Sequence, residues 1–306
     1  MNIATIISKP LKSHLRTVRS RFKNYSSVKV WPIQILFTFS SRWCLQSSFL
    51  NSVGFQKFRV LSAEKIWQLR RKLFSKGRLK LSLESANVLR KLDSEGVVKF
   101  DNVLPHYVFE RAKKLAGAIE RGTIANKQFT KAGAEYREVV VAQADPELNS
   151  YLVSNFWVND IANQFLAKTN LRPVWRIKLV RDSEGGFDQN TLFHSDTYFA
   201  TLKAFIYLDK VYKEDDVLEY LIGSNLMTKE ILDLHDTYAR LKNDSPWPSR
   251  AEIESLQFNS FLQDIEENTL LLADTRGIHR RKPKDKTSPK WRATLFCSYR
   301  RNPFVW

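Results

Sequence analysis

The hydrophobic pattern of this chain changes from a helical period to a strand period near residue 139, and this change constrains the fold most. Before it, apolar residues three or four apart over 84–93 and again after Pro105 predict two amphipathic helices. Elsewhere, short segments rich in Val, Ile, Leu, Phe and Tyr predict strands. These segments are 97–100, 139–141, 174–180, 202–208, 217–222, 269–273 and 293–299. Helices followed by strands predict an α+β chain around an antiparallel core, built as a sandwich, a barrel or a jelly roll.

Charge divides the chain into two parts. Residues 1–80 hold 17 of the 49 basic residues but a single one of the 32 acidic residues, Glu64, whereas the remaining charges are almost balanced. We therefore predict a basic N-terminal extension over 1–80, followed by one domain over 81–306. Within that domain, 228–262 has a mostly helical pattern between two strands, so we expect it to be an insertion in a loop.

The composition of the extension is compatible with several roles. An acid-poor start rich in Arg and Ser resembles an organelle transit peptide and also a segment that lies on anionic lipid. Nucleic-acid binding is disfavoured, because the positive charge does not belong to a basic folded domain. The longest apolar run, 30–39, has ten residues and contains Pro32, and it is too short to span a bilayer.

A short helix is predicted at the end of the extension, over 62–74. Its apolar face would carry Ile66, Leu69 and Leu73. The opposite face would carry Arg70, Arg71 and Lys72. We expect either a basic helix packed on the main domain or peripheral contact with an anionic membrane.

Cysteines and glycines narrow the class of protein. The two cysteines, Cys44 and Cys297, cannot build a disulfide framework, which indicates a reducing, intracellular compartment, either the cytoplasm, a membrane surface or a targeted organelle. The ten glycines form neither a dinucleotide-binding loop nor a P-loop, and there is no Gly-x-Ser-x-Gly elbow. The common nucleotide-dependent enzymes and α/β-hydrolases are therefore disfavoured.

A candidate metal site is visible among the five histidines. His194 and Asp196 form a His-x-Asp pair, and residues two apart in extended chain face the same side. His279 follows the apolar segment 270–273. Two histidines and one carboxylate on one side of a metal form the facial triad of non-haem Fe(II) oxygenases. Of the other histidines, His14 lies in the extension, His106 at a helix start and His235 in the helical insertion, where we expect it on the surface.

Arg292 and Thr294 lie two residues apart at the start of the last predicted strand. An arginine on an apolar strand is costly to bury unless it meets an anion. Its planar fork suits a carboxylate, and the Thr294 hydroxyl can add a hydrogen bond. Behind a facial triad, such a pair would hold the far carboxylate of 2-oxoglutarate.

With these residues in this order, the chain resembles the phytanoyl-CoA dioxygenase family of Fe(II)/2-oxoglutarate-dependent oxygenases, from about Leu89 to Tyr299. The matching motifs are 92–98, His194-Ser195-Asp196, 206–211, 221–224, His279 and Arg292. The resemblance implies a double-stranded β-helix core, the jelly-roll or cupin-like fold. It implies Fe(II) as cofactor, with 2-oxoglutarate and O2 as cosubstrates. It also implies the roles: His194, Asp196 and His279 as metal ligands, and Arg292 and Thr294 as 2-oxoglutarate anchors.

The activity implied is hydroxylation of a C–H bond in a small molecule. Between Arg276 and Arg292, eight basic residues accompany a single acid, Asp285, and this loop would follow the metal site. We therefore expect an anionic substrate such as an acyl-CoA, a lipid or a sugar derivative. The alternative is a non-catalytic jelly-roll module that binds an anionic ligand or a membrane surface.

Overall fold

The computed structural model of the chain describes most of the region from Phe55 onward. The described residues are 55–76, 82–131, 134–169, 171–182, 189–240, 248–282, 291–301 and 304. His14, the apolar run 30–39 and residues 283–290 of the basic loop before Arg292 lie outside them. None of the described helices has both the length and the apolar composition needed to cross a lipid bilayer.

The predicted helices and strands occur in the predicted order among the described residues, but three further helices, between residues 141 and 165, follow the point where only strands were predicted. The helices are α1 (Phe55–Lys76), α2 (Leu83–Ser94), α3 (His106–Glu120), α4 (Val141–Ala144), α5 (Pro146–Ser154), α6 (Val158–Phe165), α7 (Lys229–Arg240) and α8 (Arg250–Ser255). The strands are β1 (Val97–Phe100), β2 (Lys127–Lys131), β3 (Ala134–Val140), β4 (Arg176–Asp182), β5 (Thr201–Tyr207), β6 (Leu218–Leu221), β7 (Ser260–Phe261), β8 (Thr269–Asp274), β9 (His279–Arg281) and β10 (Arg292–Arg300).

Two antiparallel sheets face each other. The larger has seven strands in the order β1-β8-β5-β10-β4-β3-β2, and the smaller has three in the order β7-β6-β9. Tyr207 and Leu271 of the large sheet share an apolar cluster with Leu218 and Tyr220 of the small one. Two facing sheets that enclose side chains between them form the predicted jelly roll.

The outer face of the large sheet carries the main hydrophobic core. Alternate residues of β5, Leu202, Ala204 and Ile206, point outward and pack with apolar residues of α2, α3, α5 and α6. The residues between them therefore point into the jelly roll. Because of this alternation, the outer face of the sheet packs in the hydrophobic core, and the inner face is available for a functional site.

Helix α1 is longer than predicted and presents a different face to the domain. Leu69 and Leu73 of the predicted apolar face are 58% and 61% exposed, whereas Arg59 and Arg70 are buried, so the apolar face is not the one that packs on the domain. The reason lies in the surface of the domain against which α1 packs. The guanidinium of Arg59 lies over the ring of Tyr198 at 3.7 Å, and contacts of this kind compensate a buried cation.

The helical insertion is confirmed, since α7 and α8 lie within 228–262 and are followed by the short strand β7. His235 lies on α7 as expected, but its side chain is buried and not on the surface. Helix α7 packs against α1, which covers this position. Burial and the neighbouring charges of Arg59 and Arg276 lower the pKa of His235 to about 4.

Candidate metal centre

The backbone brings the two predicted histidine ligands together. His194 and His279 lie opposite each other in an isolated antiparallel bridge and exchange two backbone hydrogen bonds of 2.9 Å each. Directly opposed residues of an antiparallel pair project to the same face. The centroids of the two imidazole rings are accordingly 4.5 Å apart.

Asp196 completes the cluster two residues further along. Its backbone N–H donates to the carbonyl of Thr275 at 2.9 Å, which anchors the loop beside the turn that leads to β9. One ligand atom from each of His194, Asp196 and His279 lies within 4.8 Å of the others. The structure therefore brings together all three predicted metal ligands, from segments about 80 residues apart.

Hydrogen bonds orient both imidazole rings. Nδ1 of His194 lies 2.8 Å from the carbonyl of Leu192, and Nδ1 of His279 lies 2.9 Å from the carbonyl of Gly277. A carbonyl only accepts, so each Nδ1 carries the proton and each lone pair is on Nε2. Backbone partners of this type orient histidine ligands in metal sites.

The charge states also suit a divalent metal. Burial, together with the nearby ring of His279, lowers the pKa of His194 to about 3, so this imidazole is neutral at pH 7. Burial alone would raise the pKa of Asp196, but the ammonium of Lys203 and the imidazole of His279 hold it well below the usual value. Metals bind neutral imidazole and ionised carboxylate. The donor set fits Fe(II) in a facial triad.

A tyrosine supports the turn before His279. The hydroxyl of Tyr220 donates to the carbonyl of Asp274 at 2.8 Å, and its ring lies nearly parallel to the His279 imidazole. A Cβ on Gly277 would lie 1.9 Å from the Tyr220 oxygen, and one on Gly96 would lie 2.1 Å from it. Glycine is therefore required at both positions for the turn to approach this ring.

The predicted anchor residues also point into the jelly roll. Thr294 on β10 lies opposite Tyr207 of β5 and Lys178 of β4, so these side chains share the inner face of the large sheet. Arg292 lies two residues earlier on the same face and donates to the backbone carbonyl of Asp216. The role of Arg292 and Thr294 in binding 2-oxoglutarate stays a prediction.

Two lysines that are not among the predicted site residues also lie in this interior. Lys203 on β5 forms an ion pair with Oδ2 of Asp196. The ammoniums of Lys178 and Lys203 lie 3.7 and 5.9 Å from the ring centroid of Phe296. Burial lowers the pKa of Lys178 to about 8, although Glu138 opposes this shift. In the sequence, Lys178 and Lys203 could be recognised because each lies within a short apolar strand segment, at a position that faces inward.

The three arginines that flank His279 are engaged differently from the prediction. Arg276 is buried and its Nη2 lies 2.9 Å from Asp274, Arg280 donates to Glu219 at 2.6 Å, and Arg281 lies 3.4 Å from Asp216. Their charges are matched by internal carboxylates, so these arginines do not form the predicted funnel for an anion.

Comparison with known proteins bears on the fold. No model of a known protein family matches the chain, and no curated protein matches it. Among solved structures, it is similar to EctD from S. alaskensis with 2-oxoglutarate and 5-hydroxyectoine, at 13% identity and a TM-score of 0.51, over 72% of this chain and 78% of that chain.

A second similar structure is the epimerase SnoN in complex with Fe3+, alpha ketoglutarate and nogalamycin RO. The identity is 14% and the TM-score 0.50, over 72% of this chain and 87% of that chain. At such identities the likeness establishes the fold alone. The chain thus shares the jelly-roll fold of these two proteins, while its resemblance to the phytanoyl-CoA dioxygenase family stays a prediction.

Proposed function

We propose that this protein is an Fe(II)- and 2-oxoglutarate-dependent dioxygenase that hydroxylates a C–H bond of a small molecule. The observation that carries the proposal is the cluster of His194, Asp196 and His279 inside the jelly roll, with both histidine lone pairs on Nε2. A fold shared with EctD and SnoN, whose structures hold 2-oxoglutarate or alpha ketoglutarate, supports it.

Each part of the site has a distinct role in this proposal. The three triad residues hold the metal on one face and leave positions open for cosubstrate and oxygen. Bound iron supplies the activation of O2 that hydroxylation of an unactivated C–H bond requires. Arg292 and Thr294 bind the far carboxylate of 2-oxoglutarate. The aromatic rings of Phe205 and Phe296 line the same interior and exclude water.

An inward-facing lysine carries the proposal for the substrate class. With the arginines around His279 paired internally, the ammonium of Lys178 is the inward-facing cation that we propose for an anionic substrate group. Its carboxylate neighbour Glu138 lies 3.7 Å away and is itself 2.8 Å from Arg176, so it does not balance Lys178 alone. An acyl-CoA, a lipid or a sugar derivative with an anionic group is the proposed substrate.

The deciding experiment is release of succinate from 2-oxoglutarate by the purified, iron-loaded protein. We expect slow turnover without substrate and faster turnover with one member of a panel of acyl-CoAs, lipids and sugar derivatives. The variant Asp196→Ala should lose the turnover without substrate and the turnover with substrate. The variant His106→Ala, which changes an exposed histidine at the start of α3, should keep both activities. A protein that binds neither Fe(II) nor 2-oxoglutarate would favour the alternative, a non-catalytic module.

Helix α1 favours an additional role at a membrane. Phe58, Leu61, Leu69 and Leu73 are exposed large apolar residues on this one helix. Lys65 and Lys72 are also exposed and fall on the same helical face as Leu69. Lysines beside exposed leucines and a phenylalanine are typical of a helix that lies on anionic lipid. We propose that this face contacts an anionic intracellular membrane.

A further inference from the structure

A lysine and the metal would share one carboxylate oxygen in this site. Oδ2 of Asp196 lies 3.5 Å from Nε2 of His279, which places it on the side where the histidine lone pairs meet. The same Oδ2 atom forms the ion pair with Lys203. A metal ion held by Asp196 and His279 would therefore lie close to the Lys203 ammonium.

Lys203 has little else in its surroundings to balance its charge. Its side chain is 17% exposed and that of Asp196 is 16% exposed, so water screens the pair weakly. The inner face of β4, the other strand that flanks β10, adds two more cations, Arg176 and Lys178. Among the described residues, Asp196 is the carboxylate within ion-pair distance of Lys203.

Binding of a dication would change the charge balance around Lys203. Asp196 and Lys203 together have no net charge. A dication adds two positive charges, and it also draws the carboxylate of Asp196 away from the ammonium. A dianion bound next to the metal would restore neutrality and give Lys203 a new carboxylate partner.

We propose that Lys203 couples the binding of the metal to the binding of 2-oxoglutarate. Its ammonium weakens the binding of the metal ion when 2-oxoglutarate is absent. When both are bound, the ammonium stabilises the complex of metal and dianion. This inference rests on the proposed function and goes beyond it, because it assigns to Lys203 a role that the triad and Arg292 do not supply. By linkage, each ligand then raises the affinity for the other by the same factor.

The test measures metal affinity directly, by titration of the metal-free protein with Co(II) in the absence and in the presence of saturating 2-oxoglutarate. In the wild-type protein, 2-oxoglutarate should tighten Co(II) binding strongly. In Lys203→Met, we expect Co(II) alone to bind about tenfold more tightly than to the wild type, and the enhancement by 2-oxoglutarate to fall by about tenfold, within the usual range of coupling factors. Chelation by 2-oxoglutarate itself accounts for the enhancement that remains.

Three controls keep the result unambiguous. Lys210→Met removes a lysine of an exposed ion pair with Glu266 and should leave Co(II) binding unchanged. Lys203→Arg retains the positive charge and should retain the wild-type coupling. If Lys203→Met does not fold, Lys203→Gln is used in its place. Weaker Co(II) binding with unchanged coupling in Lys203→Met or Lys203→Gln would overturn the inference and make Lys203 a residue that only orients Asp196. If the wild type itself does not bind Co(II), the proposed function fails as well.

Discussion

His194 and His279 face each other across two short antiparallel segments and exchange both of their backbone hydrogen bonds. The positions of their imidazoles are therefore set by main-chain pairing and by ring contacts to carbonyls, before any metal binds. A site preorganised in this way should lose its metal when one ligand is removed, while the fold persists.

The first prediction concerns the three metal ligands. Each of His194→Ala, Asp196→Ala and His279→Ala should abolish turnover and weaken Fe(II) or Co(II) binding at least about a hundredfold, because three protein ligands leave no redundancy. Metal titration and succinate release measure the two effects, and circular dichroism checks the fold. Full activity in Asp196→Ala would contradict the triad assignment.

The second prediction concerns the cosubstrate anchor. Arg292→Ala should raise the apparent KM for 2-oxoglutarate more than about a hundredfold, because breaking a buried charge pair costs about 3–5 kcal/mol. Arg292→Lys should recover only part of this loss, since the planar fork is absent. An unchanged KM in Arg292→Ala would move the anchor to another residue.

The third prediction tests the close approach at Tyr220. Gly277→Ala should destabilise the protein by several kcal/mol, because the added methyl group would overlap a fully buried tyrosine. Gly117→Ala serves as the matched control. It lies in α3 and would meet only the end of the flexible Arg121 side chain, so its melting temperature should be unchanged or higher. Equal melting temperatures for the two variants would contradict this account.

The fourth prediction concerns the pH dependence of folding. The pKa of His235 is about 4 in the folded protein, below the ordinary value near 6.5, so the unfolded chain binds a proton first as the pH falls. His235 thus contributes stability that is present above about pH 6.5 and is lost progressively down to about pH 4, with a slope approaching about 1.4 kcal/mol per pH unit.

Urea unfolding at neutral and mildly acidic pH measures this slope. His235→Gln should unfold with a shallower pH dependence than the wild type, and the difference should approach one proton. His106→Gln, at an exposed position, should behave as the wild type does. Identical slopes for wild type and His235→Gln would show that the buried histidine does not titrate in this range.

The fifth prediction concerns the membrane face of α1. The double variant Leu69→Ser and Leu73→Ser should reduce co-sedimentation with anionic liposomes about tenfold or more, because burying each leucine contributes about 1.5–3 kcal/mol. Leu83→Ser removes another exposed leucine, on α2, and should have little effect. Added salt should weaken the wild-type binding.

Truncation separates α1 from the preceding residues. A protein that lacks residues 1–54 keeps the whole of α1, so it should retain its fold, its metal site and part of its binding to liposomes. If the leucine variant sediments like the wild type and the truncated protein does not sediment at all, then the binding belongs to residues 1–54 and not to α1.

Local sequence patterns predict much of the jelly roll and of the site. The strand over 97–100 agrees with β1 to the residue, and five other predicted strands end within two residues of β4, β5, β6, β8 and β10. Such strands are visible because alternation and β-branched residues are local properties. The predicted strand 139–141 is wrong at both ends, because β3 begins at Ala134 and α4 begins at Val141. The elements that the pattern does not reveal are short: β2, the three-residue β9 and the helices α4, α5 and α6, the longest of which has nine residues.

The triad could likewise be inferred, because a His-x-Asp pair and a later histidine have a recognisable order. The order of these residues does not reveal the positively charged Lys203 that lies next to the triad. Lys203 lies only seven residues after Asp196, yet its approach to Oδ2 depends on how the loop that begins at His194 returns to β5. That path is set by hydrogen bonds to Thr275, nearly 80 residues away in sequence.

Helix α1 shows the same division between local pattern and tertiary structure. Its periodicity alone determined that 62–74 forms an amphipathic helix, with an apolar face and a basic face that could each pack on the domain. The tertiary structure decided between them, because Arg276, 212 residues away from Glu64, supplies a buried partner for that carboxylate and for the ring of Trp67. The apolar residues of a helix can be read along the chain, but the face that is buried depends on the groups that distant segments place against it.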